Sequence, residues 1–281
     1  MKKIGLILLA FLILLVRFCC LDRVPIHLSN DEISIAYDAY SVGLTGQDEH
    51  GQFLPLAFES HGVHKAPLYA YLAILPIRVL GNTEQAVRVV SVVAGLLAIV
   101  FLGLLVYQLT DNRCLGLISA LTLAWSPFHI YSSRVALEAN LALGLLIPGI
   151  YFFWKWEKQN RNFWLVVSAL FFSLSIYAYH LEWMLVPLLV LGLLYFKSAP
   201  KISFKGVGLV GLIVVFCLPL FLDYLFGSGR LAGASGKMVW GDPAIHGYLL
   251  DGGNPLLLKL GLVGKTYLSN LSAYFNLGSW F

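Results

Sequence analysis

Charge is scarce in this chain. Of its 281 residues 12% are Asp, Glu, Lys or Arg and 59% are apolar, against about 25% charged in soluble globular domains. That shortfall excludes an ordinary water-soluble domain. The same apolar excess excludes disorder, and glycines without a period exclude a collagen-like repeat. Basic residues are neither abundant nor clustered: the formal net charge is +4 and no basic stripe forms, so nucleic acid is not an expected partner. Cysteine is equally sparse. Cys19, Cys20, Cys114 and Cys217 fall in or beside apolar runs without CxxC or Cys/His spacing, which excludes a disulfide framework and a zinc finger.

What the chain has is long apolar runs. A bilayer core takes roughly 20 helical residues, and seven segments approach that length: about 4–21, 88–108, 114–131, 136–154, 163–179, 183–196 and 206–225. The sixth is short, with Tyr177, Tyr179 and Trp183 at interface positions, so the fifth and sixth form a tight hairpin. Met1-Lys2-Lys3 ahead of the first run has the start of a secretory signal. No small-x-small cleavage site follows Phe18-Cys19-Cys20, so an uncleaved first helix is expected. The expected fold class is all-α, a polytopic transmembrane helical bundle.

Orientation follows from the basic residues. With the N-terminus in the cytoplasm, the short inner stretches hold Lys2, Lys3, Arg113, Lys155, Lys158, Arg161, Lys197, Lys201 and Lys205, a far higher density than the outer segments show. Of the 15 acidic residues only Asp111 and Glu157 fall inside. The positive-inside rule does not require that asymmetry, and it points to chemistry on the outer face, at about 22–87 above all. Loops of that length usually carry a role.

Within that loop, Ser29 or Asn30 can cap a helix whose first turn holds Asp31 and Glu32, where the helix dipole favours negative charge. Ile33, Ala36, Tyr37 and Tyr40 have helical spacing, as in a helix lying along the membrane surface. A turn, Thr45-Gly46-Gln47-Asp48-Glu49-His50-Gly51, comes next. Lys65, the single Lys of the loop, precedes Ala66-Pro67 and a second, aromatic surface helix, where a cation can meet a lipid phosphate. His50, His61 and His64, with Asp48 and Glu49, have the residue types for a divalent metal, but Gly62 breaks any helical face and a polar loop is the favoured reading. No cofactor is expected.

Taken in order, these pieces resemble the polytopic GT-C glycosyltransferases that use polyprenyl-phosphate sugars, in particular the protein O-mannosyltransferase and lipid A aminoarabinose transferase branch. The resemblance lies in the Asp31-Glu32 pair, the Ala36 to Tyr40 helix, the Thr45 to Gly51 turn and Lys65-Ala66-Pro67-Leu68-Tyr69. The segment Ser126-Pro127 to Ser133-Arg134, with Glu138 four positions later, is similar too. Tyr177-Ala178-Tyr179 also matches, but continues as His180-Leu181-Glu182-Trp183 where the family often has Pro and Arg. The likeness covers about residues 1–225.

The resemblance implies transfer of a sugar from a polyprenyl-phosphate donor to a protein, lipid or glycan acceptor at the outer face of a bacterial inner membrane. Asp31 would be the general base, with Glu32 the alternative for that role. Glu138 would be a second acid that orients the acceptor or a metal, and Lys65 and Arg134 would hold the donor phosphate. From the residues alone, Arg134 and Glu138 also fit an i, i+4 helical ion pair. Family members carry about eleven or more helices, so residues 1–225 are expected to form the N-terminal transmembrane part and 226–281 an outer-face segment of a truncated chain. Two other readings stand: a lipid-phosphate transporter or flippase, and an inactive truncated membrane protein. A transporter places ionisable groups near the bilayer midplane, whereas these spans are nearly free of them apart from Arg17.

Overall fold

The structure is a computed structural model that describes residues 2–60, 63–198 and 204–226. The expected 226–281 segment lies almost wholly outside these residues. The elements are α1 (Lys2–Phe18), α2 (Asn30–Thr45), the strands β1 (Phe58–Ser60) and β2 (Val63–Lys65), α3 (Leu68–Leu80), α4 (Glu84–Thr110), α5 (Arg113–Ala124), α6 (Pro127–Arg134), α7 (Glu138–Gln159), α8 (Asn162–Ala178), α9 (Glu182–Ser198) and α10 (Phe204–Phe226). The fold is an all-α, polytopic membrane bundle with two surface helices, α2 and α3, in the first loop, beside a short antiparallel hairpin of β1 and β2.

Among the described residues, α4 and residues 206–223 of α10 are long and apolar enough to cross a membrane alone, and α5 with α6 adds a third span if counted together. Helices α1, α8 and α9, each of 17 residues, reach the lower end of spanning length. The expected straight span at 114–131 is broken instead. Its two halves meet at 61°, because Pro127 lacks an amide to continue the ladder and holds Ser126 extended. The hairpin expected after α8 is present, with only Tyr179 to Leu181 between α8 and α9.

Helix α7 packs between α4 and α8. Small residues allow the approach: a Cβ on Gly144 would stand 2.5 Å from the Ala94 carbonyl oxygen. Polar side chains then tie the helices. Asn140 Nδ2 donates to the Ser91 carbonyl (2.8 Å) and hydroxyl (2.9 Å), and Ser91 Oγ donates to the Ser132 carbonyl at 3.1 Å. Arg17, buried at the end of α1, donates to the Ala124 carbonyl at 2.9 Å and meets His129 Nδ1 at 3.2 Å, so it serves the α5–α6 break.

The surface helices rest on this bundle. Ile35, Ala36, Ala39 and Val42 of α2 join one apolar core with Tyr69, Ala70, Ala73 and Ile77 of α3 and with residues of α4 and α7. The face of α2 that carries Ile33, Tyr37, Tyr40 and Leu44 stays exposed. Aliphatic residues therefore make the inner face, and Ala36 lies opposite the aromatic positions with which its spacing grouped it.

Candidate active site

Helix α2 starts on a capping box. The Glu32 amide donates to Ser29 Oγ at 3.3 Å, and the Ser29 amide to Glu32 Oε2 at 3.0 Å. The box fixes the direction of each neighbouring acid. Glu32 turns inward, 2% exposed, onto Arg88 Nε (2.9 Å) and the Ala136 amide (2.9 Å). Burial pushes its carboxyl up, but the Arg88 guanidinium and the amides of Ala136 and Ser29 outweigh this and hold it below the usual carboxylate range. Arg88 spends its other donors on the Leu21, Pro25 and His27 carbonyls. Glu32 is thus a joint between α2, α4 and the start of α7.

Asp31 turns the other way. Its carboxylate is 71% exposed and meets Lys65 Nζ, itself 12% exposed, at 2.9 Å. Lys65 also lies 3.4 Å from the Asp31 carbonyl. The pairing rests on β2, whose last residue is Lys65, and on the first turn of α2, so two segments 34 residues apart meet at one point. Glu138, the first residue of α7, lies within Coulombic reach of Lys65, Asp31 and Asp38, and its Oε1 is buried without a hydrogen-bond partner among the described residues. The structure therefore gathers Asp31, Lys65 and Glu138.

It adds a residue that the sequence reading missed. Asp38 stands two turns after Asp31 on the same helix face, about 10.5 Å along the axis. It is 2% exposed. Among the described residues its one hydrogen bond is from Ser34 Oγ at 3.5 Å. Burial, aided by the charges of Glu49 and Asp48 and opposed by Lys65, raises its carboxyl to about 7. The i, i+3, i+7 spacing of Asp31, Ser34 and Asp38 was the signal available for it.

Arg134 is a correction. Its two terminal nitrogens face five backbone carbonyls at the end of α1 and just beyond: Val16, Arg17, Cys19, Cys20 and Val24. The Val16 and Arg17 carbonyls are acceptors left over at the helix end and the other three belong to the turn that follows, and with them in place the guanidinium has no free fork for a phosphate. The helical Arg134–Glu138 pair does not form either, since extended Val135 and Leu137 separate α6 from α7.

The Thr45 to Gly51 turn is a folding device. Gly46, in the left-handed region, closes α2, and Asp48 Oδ1 accepts from the His50 (2.9 Å) and Gln52 (2.8 Å) amides. His50 sits 3.5 Å from Glu49 and 3.9 Å from Glu59. His61 and the side chain of His64 lie outside the described residues, and among these no group of His, Cys, Asp and Glu is arranged for a metal.

A broken-span helical bundle, its two surface helices packed on the membrane helices and a lysine–carboxylate cluster at the start of the first, defines an integral membrane protein of the GT-C type. The chain belongs to the dolichyl-phosphate-mannose-protein mannosyltransferase family, which residues 64–225, more than half of it, match. Lys65 and Glu138 fall inside that match, and Asp31, Glu32 and Asp38 precede it. The crystal structure of ArnT from Cupriavidus metallidurans in the apo state has a similar fold, with a TM-score of 0.68 at 15% identity, over 85% of this chain and 45% of that one. The chain thus spans about half the length of that structure. Comparison with curated protein sequences gives no match.

Proposed function

We propose that this chain is the N-terminal, donor-side part of a membrane glycosyltransferase that moves a sugar from a polyprenyl-phosphate donor to an acceptor at the outer face of a bacterial inner membrane. The observation that carries the reading is the 2.9 Å contact between Lys65 and an otherwise exposed Asp31. A carboxylate open to solvent can take the proton of an incoming hydroxyl or amine. The acceptor atom then bonds the anomeric carbon, the bond from that carbon to the phosphate oxygen breaks, and the electron pair leaves with the phosphate. Lys65 beside Asp31 stabilises the charge that develops there. Donor binding draws Lys65 from Asp31 to the phosphate and so frees the base.

Glu138, with an unfilled acceptor at the same place, orients the acceptor. Glu32, saturated by Arg88 and two amides, positions α2 and takes no proton.

The test is transfer of radiolabelled sugar from polyprenyl-phosphate donors by membranes that carry the chain, beside Asp31→Asn and Lys65→Ala, with insertion checked by blot. Transfer by the parent alone, with both variants inserted, supports the reading. Donor binding by the parent without transfer favours a lipid-phosphate carrier instead.

A further inference from the structure

Asp38 has no task in the reaction above, and its surroundings are unusual for a structural carboxylate. It is almost fully buried, makes no ion pair among the described residues and accepts one long hydrogen bond. Buried carboxylates that serve the fold are paired or hydrogen-bonded at both oxygens, as Glu32 is. Asp38 is packed where several charges converge. Asp31 shares its helix face, Asp48 and Glu49 reach it from the turn after α2, Lys65 from β2 and Glu138 from α7. Lys65 is the one cation among these.

We propose that Asp38 takes up a proton when an anionic phosphodiester binds at Lys65, so that donor binding at the outer site is proton-coupled. The inference rests on the donor-side reading of Lys65. A phosphodiester at Lys65 brings a further negative charge to a place that already holds Asp31, Asp48 and Glu49, while burial raises the Glu138 carboxyl to about 8 and keeps it largely neutral at pH 7. Asp31 lies in water beside Lys65, and Asp48 accepts two amides. Asp38 is 2% exposed and has one long hydrogen bond, from Ser34, and it responds by protonation. Its raised value in the free protein, about 7, puts this response in the physiological range.

The sign follows from linkage. If the bound state holds one more proton on Asp38 than the free state, affinity falls as pH rises above about 7 and levels off above the value in the complex. The experiment uses a prenyl methyl phosphodiester, whose single charge does not titrate between pH 5 and 9. Its binding to the detergent-purified chain is measured across that range for the parent, Asp38→Asn, Ser34→Ala and Lys65→Ala. Proton uptake is read from calorimetry in buffers of different ionisation enthalpy.

The parent's affinity is expected to fall about tenfold between pH 5 and 9, the effect of one pK unit of coupling. Asp38→Asn, close in shape and never charged, removes that slope and binds more tightly than the parent at pH 9. Ser34→Ala removes the one hydrogen bond to Asp38 and moves the midpoint up, which serves as an independent readout. A slope that survives intact in Asp38→Asn overturns the proposal alone. A parent that binds no phosphodiester at any pH, or binds it equally after Lys65→Ala, overturns the donor reading of Lys65 and this proposal with it.

Discussion

Asp31 and Glu32 are neighbours of one charge type in one helical turn, 71% and 2% exposed. Their difference separates what holds this protein together from what it can do. Every strong acceptor position of Glu32 is filled by Arg88, the Ala136 amide or the Ser29 amide. Among the described residues the Asp31 carboxylate has one partner, a lysine that a phosphate can claim. A saturated carboxylate fixes geometry, whereas a neighbour left unsaturated is available to a substrate.

The largest effect expected from this contrast is on turnover. Asp31→Asn keeps the capping box and the fold but removes the proton acceptor, and transfer drops by about 10²–10⁴-fold, the usual scale for a lost general base. Initial rates with a radiolabelled donor check it. Glu32→Ala breaks the contrast from the other side, because buried Arg88 loses its closest carboxylate and keeps only Glu84, at 3.4 Å. Loss of about 3–5 kcal/mol is expected, read as a fall in the detergent-solubilised melting temperature. Since Glu32 is held below the usual carboxylate range, its contribution is complete above the unfolded value, at neutral pH, and is lost as pH falls through the folded value.

Arg134→Ala sharpens the comparison between the two cationic candidates. It removes a donor from carbonyls at the end of α1 and in the turn after it, so stability falls by a few kcal/mol, roughly 1–3 for each acceptor left buried without a partner. Donor affinity in the protein that remains folded is unchanged, whereas Lys65→Ala gives the reverse pattern. Isothermal binding beside thermal melts distinguishes them. The smallest effect is expected at Asn140→Leu, which deletes the α7-to-α4 hydrogen bonds and costs about 0.6–2 kcal/mol, measured by the same melts.

Much of this was legible in the sequence because it is local. Apolar run length placed the membrane helices within a few residues, and Ser29 was one of the two residues that could cap α2. Lys65 stood out as the single Lys of its loop. The missed features depend on contacts between distant segments. Arg134 was assigned to a phosphate because its fork suits one, yet α1 lies more than 110 residues away and supplies carbonyls of the same hydrogen-bonding need. The break at Ser126-Pro127 was visible as a motif, and its bend follows from the missing proline amide, but an apolar count alone runs straight across it. Asp38 was overlooked because the aromatic positions of α2 drew attention to the face that proves exposed, whereas helical spacing from Asp31 points directly to it.

The most direct measurement of the central claim is single-turnover transfer from a polyprenyl-phosphate sugar, parent against Asp31→Asn, at matched insertion and matched melting temperature. The account predicts an Asp31→Asn protein that inserts and melts as the parent does and transfers sugar about 10²–10⁴-fold more slowly. A variant that transfers at the parental rate would contradict it, and would place the proton acceptor elsewhere in the cluster.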